Sequence, residues 1–130
     1  MRSAAAVFLA GGDQWNYYSM WKATPLGAAL ASHVDMAPIG GTSAGMAVLG
    51  RVINTAQWLA DEPLVSRTAL ADPYVPLVSL GGELLRAPSL AHVVTDTHFR
   101  ERDRMGRLVV FVTRMQQDVM VRTVCKLSRA

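Results

Sequence analysis

The chain has 130 residues and a mass of 14.1 kDa, the size of one ordinary domain, which excludes a TIM barrel and most complete α/β enzymes. Hydrophobic residues make up 51% and charged residues 18%, so the chain can fill a core and is not disordered by composition. The net charge of +3 arises late in the chain, where residues 99–130 carry 8 basic and 3 acidic side chains. The arginines there are not interleaved with aromatic residues, so we expect an anionic substrate or a solvated face and no nucleic acid.

The cysteine content and the length of the apolar runs limit the remaining classes. A single cysteine, Cys125, excludes a disulfide framework and a thiolate metal cluster, and it fits a reducing cytoplasm. No apolar run approaches the ~20 residues of a membrane span. We therefore predict a cytoplasmic protein that binds no membrane, no metal and no cofactor.

The first 60 residues alternate between strand-like and helix-like segments. Residues 4–10 form a continuous apolar run closed by two glycines, which predicts a strand buried on both faces. Helical spacing follows over residues 15–32, with Pro25 starting a second helix. Residues 36–39 predict another strand, and residues 44–59 another helix. This order predicts βαβ units and a parallel sheet.

The second half is less regular. Four prolines and a glycine pair divide residues 61–89 into loops and short elements, which we interpret as an insertion within one domain. Residues 91–95 predict a short strand that ends at the polar turn Asp96-Thr97-His98. Residues 104–117 again have helical spacing, and residues 119–130 predict no element.

The strongest local signal is Gly41-Thr42-Ser43-Ala44-Gly45, which matches G-x-S-x-G. In this motif a serine on a tight strand-to-helix turn is held above the carboxyl edge of the sheet, and the glycines let strand and helix pass closely. The backbone N–H of Ala44 would then lie at a helix N-terminus, where it can stabilise an oxyanion. A chance match, or a serine that is only an N-cap, is the alternative.

A nucleophilic serine needs a base, and His98 is the best of three candidates. It follows a predicted strand, and parallel strands deliver their C-terminal loops to the same edge of the sheet, so this turn can reach Ser43. His33 lies at a helix end, which indicates a C-terminal cap or a surface residue. His92 falls inside the predicted strand, which indicates a buried core histidine.

Three ordered blocks resemble the cyanophycinase branch of the serine peptidases of family S51. They are residues 8–14 (FLAGGDQ), residues 40–45 (GGTSAG) and residues 96–99 (DTHF) with the arginines that follow them. The resemblance runs from about residue 5 to residue 117. It implies a three-layer α/β sandwich with a mainly parallel sheet, of the class I glutamine amidotransferase type. It also implies a Ser-His-Glu triad that cleaves β-aspartyl-arginine units from the polymer cyanophycin.

The same resemblance assigns roles to individual residues. Ser43 would be the nucleophile and His98 the general base, with oxyanion-hole amides from Gly12 and Ala44. The remaining positions that match the family's substrate pocket are Gln14, Asp96, Arg102, Arg104 and Arg107. Arginine binds carboxylates through two parallel hydrogen bonds, and an acidic residue can accept a substrate guanidinium. For the arginines, a solvated basic helix start is the alternative.

The sequence also departs from the family. Thr97 stands where the polymer-degrading members usually have glutamine. The substrate could therefore be an aspartyl dipeptide other than that of cyanophycin. The family's first strands and its glycine-rich segment with the triad acid have no counterpart. The carboxylates beyond His98 are Glu101, Asp103 and Asp118, and none has that setting.

We therefore expect one incomplete domain over residues 1–130, truncated at both ends relative to the family. It would act weakly on a peptide or cyanophycin-like substrate, because the histidine has no orienting acid. The first alternative is an inactive fragment that dimerises through an uncovered sheet edge. The second is a basic module that binds anions or nucleic acid.

Overall fold

The structure is a computed structural model that describes residues 3–58 and 63–127, with side chains as far as residue 118. The elements, in chain order, are β1 (Val7–Leu9), α1 (Gln14–Trp21), α2 (Pro25–Val34), β2 (Ile39–Gly41), α3 (Ala44–Ala47), β3 (Val52–Asn54), α4 (Ser66–Ala71), β4 (Leu80–Gly82), a 3₁₀ turn (Pro88–Leu90) and α5 (Met105–Leu127). This mixture of helices and small sheets is compatible with the predicted α/β class.

The strands of the described residues form two small sheets. Strands β1 and β2 pair in parallel, with Phe8 opposite Gly40, and helices α1 and α2 form the crossover between them. This confirms the predicted strand–helix–strand order at the start of the chain. Strands β3 and β4 pair antiparallel, and a parallel bridge joins Val52 to Val94. Because β1 and β2 are parallel, the loops that follow them leave the same edge of their sheet.

The first two helices are capped by side chains that the sequence places directly before them. Asp13 accepts a hydrogen bond from the Trp15 N–H at 2.8 Å, which fixes the chain as it leaves β1 for α1. Thr24 accepts one from the Gly27 N–H at 3.3 Å, and Pro25 occupies the first helical position of α2. The predicted helix start at Pro25 is confirmed.

The first predicted strand is shorter and more exposed than its composition indicates. A strand was expected over residues 4–10, but only Val7–Leu9 form one, which pairs with β2. Leu9 is buried, but Phe8 is 70% exposed. Successive side chains of a strand point to opposite faces, so Leu9 joins the core and Phe8 points away from it. The prediction of burial on both faces is wrong for the described part of the protein.

The predicted helix over residues 44–59 is wrong beyond Ala47. The chain turns at Gly50 and continues as β3, and residue 59 lies outside the described residues. Gly50 packs so closely on the segment that contains Val93 and Thr95 that a Cβ atom on Gly50 would lie 2.8 Å from Thr95 Oγ1. The Arg51 N–H then donates to Val93 O at 2.8 Å. This pairing satisfies the backbone that a longer helix would have satisfied internally.

Two further expectations differ from the structure. The strand predicted over residues 91–95 is reduced to the single bridge at Val94. Residues 119–130 were expected to form no element, but α5 continues through Leu127, and residues 128–130 lie outside the described residues. The region over residues 61–89 does consist of loops and short elements, with residues 61 and 62 likewise outside the description.

The buried apolar side chains form two clusters. The first contains Leu9, Leu30, Val48, Leu49, Ile53, Leu84 and Leu85. The second contains Leu64, Ala69, Val78, Val110 and Phe111, where α4 packs on α5. Ser43 lies between β2 and α3, shortly before Val48 and Leu49 of the first cluster. The turn at His98 precedes α5, which carries Val110 and Phe111 of the second cluster. The elements of both clusters therefore adjoin residues of the candidate site in the sequence.

Among the described residues, no helix combines the length and apolar character that crossing a membrane requires.

Candidate active site

Ser43 occupies a strained turn between β2 and α3. Its backbone has φ 50° and ψ −122°, a combination that is uncommon for a residue with a side chain and costs on the order of 1–3 kcal/mol. The glycines around it allow the close passage. A Cβ atom on Gly45 would overlap the carbonyl groups of Leu9 and Ala10, and one on Gly41 would overlap the backbone of Gly45. The predicted G-x-S-x-G turn is therefore present as a packed backbone crossing.

The Ser43 side chain contacts the predicted base. Ser43 Oγ lies 2.9 Å from His98 Nε2, within hydrogen-bonding distance, across 55 positions of sequence. The same side chain makes no capping hydrogen bond to α3, so it does not act as an ordinary N-cap. For Nε2 to accept the hydroxyl proton, Nδ1 must carry the ring hydrogen. This is the arrangement by which an adjacent histidine activates a serine.

The turn that carries His98 is also held in an unusual conformation. His98 has φ 59°, in the left-handed region that non-glycine residues seldom occupy. Its carbonyl accepts a hydrogen bond from the Arg102 N–H at 3.1 Å. The Arg104 side chain donates to Thr97 O at 3.2 Å, and the Thr97 hydroxyl is buried without a partner among the described residues. Residues in the segment directly before α5 thus contact the histidine turn.

No described carboxylate orients the histidine. Within residues 3–58 and 63–118, no carboxylate oxygen lies within 4.0 Å of a His98 ring nitrogen. Asp118 pairs with Arg114 at 3.1 Å, and Glu101 and Asp103 are exposed. None of the three carboxylates that follow His98 therefore completes a triad in this part of the protein.

A cavity of about 350 Å³ opens beside Ser43. Its polar lining includes six residues that the sequence predicts for the site: Gly12, Gln14, Ser43, Arg102, Arg104 and Arg107. His98, Ala44 and Asp96 are not among the lining residues. His98 contacts the lining residue Ser43, and the Asp96 carboxylate contacts Arg107.

One wall of this cavity was not predicted. It is built from apolar residues of the region interpreted as an insertion and of the segment before it, namely Ala56, Trp58, Pro63, Leu64 and Leu77. Nothing in the spacing of these residues connects them with the serine motif. Asn54 also lines the cavity, and its carbonyl accepts a hydrogen bond from Gln14 Nε2 at 2.6 Å. That bond orients the Gln14 amide.

Two backbone N–H groups near Ser43 are available for an oxyanion. Neither Gly12 N–H nor Ala44 N–H donates a hydrogen bond to any described residue. Gly12 lines the cavity, and Ala44 directly follows the serine. Because α3 has only four residues, its macrodipole is small, and the individual N–H groups carry the effect.

The three arginines differ in environment. Arg102 is exposed, whereas Arg104 is 8% exposed and Arg107 3% exposed. The alternative of a solvated basic segment before the helix therefore fits Arg102 and not the buried Arg104 and Arg107. Burial lowers the pKa of Arg104 to about 10, and the neighbouring positive charge of Arg107 adds to the effect. Arg104 Nε has no hydrogen-bond partner among the described residues.

The other two histidines lie in environments opposite to those expected. His33, predicted as a cap or surface residue, is 1% exposed, and neither ring nitrogen has a partner among the described residues. His92, predicted as a core residue, is exposed. Within the described residues, no group of three or more His, Cys, Asp or Glu side chains could hold a metal ion.

The strained serine turn and its histidine contact are features of serine hydrolases that use a nucleophile elbow. Among proteins of known function, the chain is distantly related to cyanophycinases. It is 30% identical over 111 residues, 84% of this chain, to the cyanophycinases of Geminocystis herdmanii and Trichormus variabilis, covering 36% and 33% of those proteins. It is 33% identical over 105 residues to the cyanophycinase of Synechococcus elongatus, covering 79% of this chain and 29% of that protein.

The chain thus spans about a third of the length of these curated relatives. No family model matches the chain, and no solved structure matches it.

Proposed function

We propose that the protein is a serine-type exopeptidase of the cyanophycinase kind, which hydrolyses β-aspartyl-arginine or other aspartyl dipeptide units. The observation that carries this proposal is the 2.9 Å contact between Ser43 Oγ and His98 Nε2, made on a strained elbow beside a cavity lined with arginine. The related cyanophycinases support the substrate class. We also propose a three-layer fold of the glutamine amidotransferase type, which the resemblance of the sequence to family S51 implies.

The chemistry follows from the positions of the two side chains. His98 Nε2 takes the proton of the Ser43 hydroxyl as the oxygen attacks the scissile carbonyl carbon. The N–H groups of Gly12 and Ala44 stabilise the negative charge that develops on the carbonyl oxygen. His98 then gives its proton to the leaving amine, and water hydrolyses the acyl-enzyme by the same steps.

Substrate recognition uses the charged and polar lining of the cavity. Arg102 and Arg104 supply positive charge for a substrate carboxylate, and the amide of Gln14 offers a further polar contact. The unpartnered Nε of Arg104 is a buried donor, and a bound carboxylate would satisfy it.

We expect this activity to be weak. A histidine without an acceptor at Nδ1 is poorly held in the required tautomer, which costs roughly 10⁴-fold in kcat in a comparable enzyme. An inactive remnant of such a peptidase is the second candidate, and the absence of a carboxylate partner for His98 among the described residues favours it.

Adduct mapping with a fluorophosphonate tests the proposal directly. The reagent reacts with activated serines and needs no substrate recognition, so we expect one covalent adduct per chain, located at Ser43 by peptide mass spectrometry. Ser66 provides an internal comparison, because its hydroxyl is already bonded to the backbone of Asp103 and Gly106. Absence of an adduct, or equal labelling of Ser66, would favour the inactive remnant.

The pKa of Arg104 predicts how substrate protection depends on pH. The β-Asp-Arg dipeptide should protect Ser43 from the fluorophosphonate, and this protection should weaken as pH rises through about 10, because Arg104 loses its charge. We expect Arg104→Gln to weaken protection below about pH 9, where wild-type Arg104 is charged, and to remove the dependence between about pH 9 and 11. Arg102→Gln is the matched control and should retain the pH dependence. Protection that stays constant through pH 10 would contradict a carboxylate contact at Arg104.

A further inference from the structure

The carboxylate of Asp96 is fully engaged inside the protein. Its Oδ2 accepts a hydrogen bond from Arg107 Nε at 2.8 Å, and its Oδ1 accepts one from Arg107 Nη2 at 2.5 Å. Oδ1 also accepts the Thr97 N–H at 2.8 Å. The side chains of Asp96 and Arg107 are only 2% and 4% exposed. An aspartate held in this way has no accessible oxygen for a substrate guanidinium.

The guanidinium of Arg107 is engaged as well. Its Nη1 donates to Leu64 O at 3.3 Å, and the group lies over the ring of Phe111, 5.6 Å from the centroid. Together with the two bonds to Asp96, these contacts connect the turn at His98 with α5 and with the segment before α4. A substrate carboxylate could reach Arg107 only at the expense of a buried, doubly hydrogen-bonded ion pair, whose disruption is costly.

The aspartate of this pair lies two residues before the proposed base, His98. The Asp96 carboxylate accepts a hydrogen bond from the Thr97 N–H, and the Arg104 side chain donates one to the Thr97 carbonyl. Both bonds hold the backbone of Thr97, the residue before His98. On the other side, Thr95 Oγ1 donates to Ala47 O at 2.8 Å, which connects this segment to the helix that follows Ser43. The left-handed conformation of His98 persists only if its surroundings impose it. The buried pair is one of these constraints, and its two side chains are almost completely enclosed.

We propose that Asp96 and Arg107 form a positioning pair that holds His98 against Ser43 and does not bind substrate. Of the three arginines beside the cavity, Arg102 and Arg104 are then the ones that meet substrate carboxylates. The inference rests on the proposed function. The resemblance of the sequence to family S51 implies that Asp96 and Arg107 lie in the substrate pocket, and the inference gives them a positioning role. A positioning pair predicts that substitutions of Asp96 or Arg107 lower kcat, whereas a substrate contact predicts that they raise KM.

The test compares fluorophosphonate labelling with dipeptide hydrolysis in matched variants. Arg107→Lys keeps the charge but loses the fork of two parallel bonds. We expect it to slow labelling of Ser43 and to lower kcat, both by roughly 10²-fold as for a displaced catalytic group, and to leave KM within about twofold. Arg102→Gln should do the reverse, raising KM without slowing labelling. Arg100→Lys, at an exposed residue outside the pair, is the control and should change neither.

A second variant guards against loss of folding. The double variant Asp96→Glu/Arg107→Lys lengthens one partner where it shortens the other, and it should restore at least part of the labelling rate lost in Arg107→Lys. Thermal unfolding identifies which variants are folded. Rescue supports the positioning pair. The proposal is overturned if the folded variants label at the wild-type rate and only KM rises, as a substrate contact requires, or if the double variant is folded and shows no rescue.

A proton NMR spectrum of the three histidine rings separates this inference from the proposed function. If wild-type Ser43 does not react with the fluorophosphonate, the proposed function fails, but the pair can still be tested. We expect Arg107→Lys to shift the ring signals of His98 and to leave those of His33 and His92 in place. Unchanged His98 signals in the folded variant would show that the pair does not position this ring.

Discussion

Replacement of Ser43 by alanine is expected to reduce both fluorophosphonate labelling and β-Asp-Arg hydrolysis to the level of a blank. The variant removes the atom that forms the acyl-enzyme in the proposed mechanism, and loss of a serine nucleophile typically costs on the order of 10⁶-fold in kcat. The fold should be retained, because the Ser43 side chain makes no cap to α3 and its described contact is with His98. Labelling stoichiometry and product release, measured on the same samples, give the two readouts.

The controls for this prediction come from the same chain. Ser89→Ala, at an exposed serine in the 3₁₀ turn, should retain full labelling. The double variant Ser43→Ala/His98→Ala should be no slower than Ser43→Ala alone, because the two side chains act as a unit. Hydrolysis that survives in Ser43→Ala would place the activity elsewhere in the molecule and would refute the proposed mechanism.

The tight turn at Ser43 was predictable because its signal is local. The G-x-S-x-G spacing specifies a backbone crossing that only glycines permit, and the structure shows that crossing at Gly41 and Gly45. The approach of His98 was expected from parallel strands of one sheet. The strand expected before His98 is in fact a single bridge from Val94 to Val52 of β3, and β3 pairs with β4, whereas Ser43 follows β2 of the other sheet. The contact between His98 and Ser43 is present, but among the described residues no shared sheet accounts for it.

Other parts of the site could not be read from the sequence because they depend on side-chain partners. Asp96 and Arg107 have the residue types of a substrate pocket and of a buried ion pair alike, and only their mutual burial distinguishes the two. The apolar wall at Trp58 and Leu77 comes from a segment with no periodic pattern. His33 and His92 were interchanged in burial because an isolated histidine does not indicate which face it occupies.

The incorrect helix after Ala47 has a related cause. The spacing of Met46, Leu49 and Ile53 fits one face of a helix, but a short apolar run also fits a buried strand. Tertiary pairing decided between them, since the Arg51 N–H bonds to Val93 O and Gly50 packs on Thr95. Local spacing contains no information about the segment 40 residues later that provides this partner.

The backbone crossing at Gly45 leads to the prediction with the largest expected effect on stability. We expect Gly45→Ala to destabilise the fold by about 3 kcal/mol or more, because the added methyl group would overlap the carbonyl groups of Leu9 and Ala10. These are backbone atoms of β1 and its following loop, so no side chain can rotate to make room. Relief would require β1 to separate from α3, which would disturb Leu9 in the first core cluster.

Gly40→Ala is the matched control, because it adds the same methyl group five residues earlier, in β2. There the new atom would meet only Phe8 Cδ2, at 3.9 Å, an ordinary van der Waals distance. In thermal unfolding we expect Gly40→Ala to stay within a few degrees of the wild type, and Gly45→Ala to lose about 10 °C or more in Tm. Because Ser43 depends on the same crossing for its strained conformation, the fluorophosphonate reaction should slow in Gly45→Ala even below its unfolding transition. Equal Tm values for the two variants would mean that β1 and α3 do not cross as closely as the elbow requires, and that the strain at Ser43 has another origin.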